Sequence, residues 1–72
     1  MVNSIQLLDV VALTEDLPEH KLHRGQINTV IELLAPNVFE VEFSDDQGKT
    51  YAMLSLRAEQ LIVLHYQILE AA

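Results

Sequence analysis

From Val38 to Ser44 the chain alternates without interruption: Phe39, Val41 and Phe43 fall on one side, Glu40, Glu42 and Ser44 on the other. Successive side chains of a strand point to opposite faces of the pleat, so this run predicts a half-buried antiparallel strand with an aromatic and aliphatic core face. Turn signatures bracket it. In Ala35-Pro36-Asn37-Val38, proline presets φ at the first central position and asparagine accepts positive φ at the second. Asp45-Asp46-Gln47-Gly48 ends on a glycine suited to left-handed geometry. Ile27 to Ala35 before the first turn reads as a strand. So does Lys49 to Ser55 after the second, with Ala52, Leu54 and the following Leu56 on one face and Tyr51 and Met53 on the other. Residues 28–55 therefore form a three-strand meander.

The register of the first hairpin is decided by burial. A plain two-residue loop would put Glu32 on the same face as Val41 and Phe43, and an unpaired buried carboxylate is costly. A shift of one residue through a bulge pairs Thr29, Ile31 and Leu33 with Phe43, Val41 and Phe39. It also turns Glu32 outward beside Glu40, and this is the expected arrangement.

The flanks complete the plan. Val2 to Leu8 reads either as a lead-in or as a helical turn, and Asp9 to Thr14 as a strand with Val11 and Leu13 in phase. A polar loop follows from Glu15 to Gln26, pinned by Leu17 and Leu22, because a loop of this length needs anchors in so small a domain. Gly25 is suited to positive φ at the start of the next strand, with Asn28 as a second such position. Leu56 to Gln60 predicts a single 3₁₀ turn. The β-branched pair Ile62-Val63 favours a closing strand over Leu61 to Tyr66 rather than a helix over 58–71. Residues 67–72 form a tail carrying Ile68 and Leu69. The whole reads as one all-β domain: a lead-in (1–8), a five-stranded SH3-like barrel with a long first loop and a one-turn 3₁₀ helix before the last strand (9–66), and the tail (67–72). Closing the barrel would remove open strand edges.

Several segments together resemble a known family. They are Leu7 to Leu13, Asp16-Leu17-Pro18, Arg24-Gly25-Gln26, Thr29 to Glu32, Phe39-Glu40-Val41-Glu42-Phe43 and Asp46 to Ala52. This set is similar to the domain-of-unknown-function 4926 family of short, mostly cyanobacterial and other bacterial proteins, over roughly Leu7 to Leu64. The resemblance implies an SH3-like barrel and brings no activity and no site residue with it.

Composition narrows the function classes. Seventy-two residues, half of them apolar, suffice for one domain, and the absence of cysteine removes disulfides and thiolate metal sites. Four basic residues (Lys21, Arg24, Lys49 and Arg57) stand against eleven acidic ones, a formal net charge of −7. Nucleic acid and anionic membranes are bound by displacing counterions with Lys and Arg, so both are disfavoured as partners. The N-terminus lacks a basic region followed by a long apolar core, and no apolar run exceeds four residues, Leu61 to Leu64 among them, so none can span a bilayer. A soluble cytoplasmic protein is expected.

No constellation for catalysis stands out. His20 and His23 lie beside Glu19 in the loop without a third converging ligand, and His65 reads as a residue at the rim of the closing strand. Asp45, Asp46 and Gly48 lack the spacing and distal glutamate of a calcium loop. Acid–base chemistry by Glu40 with Glu42, or Glu32 with Glu40, would need a desolvated carboxyl in a cleft, which a solvated strand face does not offer. No nucleophile elbow or phosphate-cradling loop is present, and the chain holds two glycines in all. The expectation is no enzyme, no cofactor and no metal.

What remains is a run of five acids, Glu32, Glu40, Glu42, Asp45 and Asp46, with no base among them. It reads either as a solvated face that maintains solubility or as a docking surface for a basic protein. The latter suits a protein-interaction module such as an antitoxin- or immunity-type partner. Two other readings are a nucleic-acid-associated SH3-like module and a domain that self-associates through a strand edge or the Ile68-Leu69 tail.

Overall fold

The computed structural model describes residues 4–64. Five strands follow in order: β1 (Val10–Leu13), β2 (Ile27–Ala35), β3 (Val38–Ser44), β4 (Thr50–Arg57) and β5 (Leu61–Val63). Two 3₁₀ turns, Pro18–His20 and Ala58–Gln60, interrupt them. All five strands pair antiparallel in one sheet of order β4-β3-β2-β1-β5, so the fold is all-β, as the alternation predicts.

Phe39, Val41 and Phe43 are buried, and with Val11, Leu13, Val30, Leu56 and Leu61 they form one core cluster. That cluster takes side chains from all five strands, so the sheet curls around it. The last strand pairs beside the first. The expected barrel closure is not seen: the sheet is open, because no ladder joins β4 to β5. Leu56 of β4 and Leu61 of β5 are both buried in the common core. The closed edges expected of a barrel are replaced by two sheet margins.

The register of β2 on β3 is only partly the expected one. Glu32 pairs with Glu40 and Leu33 with Phe39, but Val30, not Ile31, lies opposite Val41, and Thr29 lies opposite Glu42 rather than Phe43. The register shifts twice, which leaves Ile31 and Leu34 as single extra residues on β2. Each such bulge resets the phase of the strand. Upstream of Ile31 the core positions are Val30 and Asn28. Leu33, expected inside, is 62% exposed. Asn28, expected at a positive-φ turn, instead lies within β2 opposite Val11 and is 2% exposed. Positive φ occurs where the turns demand it, at Gly25, Asn37 and Gly48, and also at Leu8 and Lys21.

A third shift in register lies between Phe43 and Ser44, which leaves Tyr51 as the unpaired residue of β4. Tyr51 therefore does not sit beside Met53 on the outer face as the alternation suggests. Its ring stands 6.3 Å from that of the inward-facing Phe43, and Gln26 Nε2 donates to its hydroxyl at 3.0 Å.

The loop between β1 and β2 is pinned where expected. Leu17 and Leu22 are buried and their backbones exchange hydrogen bonds of 2.9 and 3.2 Å. Asp16 Oδ1 accepts from Arg24 N at 2.8 Å, and the 3₁₀ turn Pro18–His20 adds order that the composition does not announce. Ahead of β1 the lead-in forms a tight turn rather than a helical one, closed by Asp9 N donating to Gln6 O at 3.0 Å. Beyond β4 the 3₁₀ turn begins at Ala58, two residues later than expected. Gln60 anchors it, accepting from Arg57 N through Oε1 at 2.8 Å and donating to Glu15 through Nε2 at 3.2 Å. Leu61–Val63 is strand, which excludes the helical alternative over those residues. His65, Tyr66 and the 67–72 tail lie outside the described residues. Among the described residues no helix is long and apolar enough to cross a membrane.

Candidate protein-docking face

Three of the five acids share the outer face of the β2–β3–β4 meander. Register makes them a ladder. Glu32 lies directly opposite Glu40, whose other neighbour is Ser55. Glu42 lies between Thr29 and Met53. The period-two phase of β3 places Glu40 and Glu42 two residues apart on that face. The bulge at Ile31 brings Glu32 onto it as well.

Short hydroxyl side chains of β4 hold the β3 carboxylates. Ser55 Oγ donates to Glu40 Oε1 at 3.1 Å, and Thr50 Oγ1 donates to Glu42 Oε2 at 2.9 Å. Glu40 and Glu42 are half-buried, whereas Glu32 is exposed and its carboxylate accepts no hydrogen bond among the described residues. Like charges directly opposite one another across a ladder repel, and a cation placed over them relieves that repulsion. Met53, 51% exposed, provides an apolar centre beside Glu42. Arg57, two positions past Ser55, bonds Glu59 through Nε at 3.1 Å.

Asp45 and Asp46 are placed differently. Asp45 Oδ1 accepts from the backbone N–H groups of Gln47 and Lys49, both at 2.9 Å, so this carboxylate organises the β3–β4 turn. Asp46 is exposed on the same turn, beside an open depression of about 460 Å³ bordered by Ser44, Gln47 and Tyr51. The fold thus unites Glu32, Glu40 and Glu42 and leaves the two aspartates at the end of the hairpin. The Ser55 and Thr50 hydrogen bonds were not foreseen from the sequence, since they depend on which residue of β4 faces which of β3.

Among the described residues no three His, Cys, Asp or Glu side chains converge on a point that could hold a metal ion. His20 closes the 3₁₀ turn and His23 follows Leu22 in the same exposed loop.

The arrangement of strands, loop and turns can be set against known proteins. A family model described as a domain of unknown function, DUF4926, matches residues 7–63. The chain belongs to this family. No curated protein and no solved structure matches it. The DUF4926 match runs from the Leu7–Leu8 turn to the last residue of β5, so it takes in the whole sheet and every acid of the ladder. Membership in DUF4926 supplies a relationship and no chemistry.

Proposed function

We propose that this domain is a small, non-enzymatic, cytoplasmic protein-interaction module that docks a basic protein on the outer face of β2, β3 and β4. An antitoxin- or immunity-type role, covering a basic active surface, is the form of that function we favour. One observation carries the reading: Glu32 stands opposite Glu40, with Glu42 two residues along and no base bonded to any of the three among the described residues. Such a ladder is electrostatically unfavourable alone and is complemented by Lys or Arg from a partner. The net charge of −7 steers the same class of partner and opposes nucleic acid.

Affinity purification of the chain from its native host at low salt tests the proposal. A stoichiometric basic protein is the expected product, lost when Glu32 and Glu40 are both replaced by Lys. Recovery of no stoichiometric protein overturns it, and so does tight binding of DNA or RNA at physiological salt in a gel-shift assay.

A further inference from the structure

β4 is the long free margin of the sheet. Seven of its eight residues, all but Tyr51, pair with β3 on one side, and among the described residues no strand lies on the other. Arg57 N is taken by Gln60 Oε1, but the backbone of Thr50 to Leu56 makes no further hydrogen bond among the described residues, whereas the opposite margin, β5, is three residues long. Open edges are ordinarily blunted by proline, by charge or by shortness, since their free N–H and C=O groups template pairing. From Thr50 to Leu56, β4 has no proline and no charged residue. Its one irregularity is at Tyr51. From Ala52 to Arg57 the register with β3 is regular.

The two faces of this margin define what would fit. Facing inward, Ala52 and Leu54 are half-buried, ending rows that begin in the core at Phe43 and Val41. Facing outward, Met53 and Ser55 are exposed, with Glu42 and Glu40 directly behind them on β3. A strand added to β4 lies one ladder spacing away, about 4.8 Å, and so about 9.6 Å from β3. A Lys or Arg on its outer face crosses the small Ser55 to reach Glu40, and a second base, two residues away, passes beside Met53 to Glu42.

We propose that the free edge of β4 is a strand-docking site for an extended segment of the basic partner, in which apolar side chains alternate with Lys or Arg. The apolar residues continue the Ala52–Leu54 rows, and the bases neutralise Glu40 and Glu42. This deepens the docking function proposed above and rests on it for the sign of the partner's charge. A second copy of the chain is a poorer occupant. Two-fold pairing about Leu54 sets Met53 of one copy against Ser55 of the other and brings no base to Glu40 or Glu42; pairing about Ser55 sets against Met53 only Arg57, which is already bonded to Glu59, and either joins two chains of net charge −7.

The test uses the full chain and two acetylated, amidated octapeptides of identical composition, one alternating Lys and Val, the other with four Lys followed by four Val. Binding is read by fluorescence anisotropy at low salt, and exchange of the β4 amides by NMR. The alternating peptide is expected to bind at least tenfold more tightly than the block peptide and to slow exchange of the outward-pointing amides between Ala52 and Arg57. The paired substitution Glu40→Gln and Glu42→Gln should weaken it at least tenfold. Equal binding of both peptides, reduced by those substitutions, overturns the edge site and leaves the acidic face standing as a docking surface. Binding of neither peptide overturns the edge site, and the purification experiment then judges the acidic face separately. Slow exchange of those amides in the free protein also overturns the proposal. Sedimentation as a monomer then identifies residues 65–72 as the occupant, and as a dimer, a second copy.

Discussion

Replacing Asn28 by valine should stabilise this protein. Asn28 faces the core from β2, 2% exposed, and its side-chain oxygen is buried without a hydrogen-bond partner among the described residues. Its amide nitrogen makes one long bond, 3.3 Å to Gln26 O. That carbonyl also accepts from Leu13 N at 3.0 Å, so removing the Asn28 amide leaves no orphan behind. A buried unpaired carbonyl costs about 1–3 kcal/mol, and a neutral hydrogen bond of ordinary quality contributes about 1 kcal/mol. Valine removes the first at the expense of the second, suits the pleat, and adds apolar contact beside Val11. The balance favours Asn28→Val by about 1–2 kcal/mol. For a domain of this size each kcal/mol corresponds to about 4–8 °C in the thermal midpoint, so a rise of about 4–16 °C is expected. Urea denaturation followed by circular dichroism measures the same quantity, with the midpoint raised and the slope unchanged. An Asn28→Val protein less stable than the parent would refute the reasoning, because it would mean that the buried oxygen has a partner worth more than its desolvation.

Other positions make separate demands. Gly48 has φ +79° with no atom within 4 Å of where a Cβ would stand. Gly48→Ala should therefore cost only the left-handed strain, about 1–2 kcal/mol in urea titrations. Glu32→Gln removes a repulsion across the ladder and should raise stability by a few tenths of a kcal/mol at low salt. That gain should fade in 1 M salt as screening shortens to about 3 Å, and persistence there would exclude an electrostatic origin. Leu22→Ala should cost about 2–4 kcal/mol by emptying a buried site. It should also accelerate amide exchange in the 15–26 loop more than in β3, and equal acceleration would show that the loop is not separately pinned.

The meander was legible because β3 alternates strictly and because Asn37 and Gly48 sit where turns require positive φ. β2 was not, for a physical reason. Thr29-Val30-Ile31 and Leu33-Leu34-Ala35 carry no period of two, so neither face is marked, and each bulge adds a residue that leaves no trace in composition. The expectation that Glu32 points outward survived because desolvating a carboxylate is costly whatever the register. The choice of Ile31 over Val30 had no such constraint. Asn28 was misplaced because asparagine is ordinarily a turn residue, and nothing local signals a buried one. Tyr51 was misplaced by the bulge that turns it toward Phe43. For the docking face, the acids are plain in the sequence. Their grouping is not, since Asp45 is engaged by its own turn and Glu40 and Glu42 are held by hydroxyls from a strand whose register lies beyond local reading.

The sheet order also has a consequence in time. Glu40 pairs with Ser55, fifteen positions away, but Val11 pairs with Val63, fifty-two positions away (63 − 11). Closing the longer loop carries the larger entropy cost before any contact rewards it, so the hairpins assemble first and β5 docks last. Folding kinetics should show this as a φ-value well above zero for Val41→Ala and near zero for Val63→Ala, and the reverse order would contradict it. The acidic ladder belongs wholly to the early part. A newly made chain then forms the acidic face proposed for docking before its core is sealed by β5.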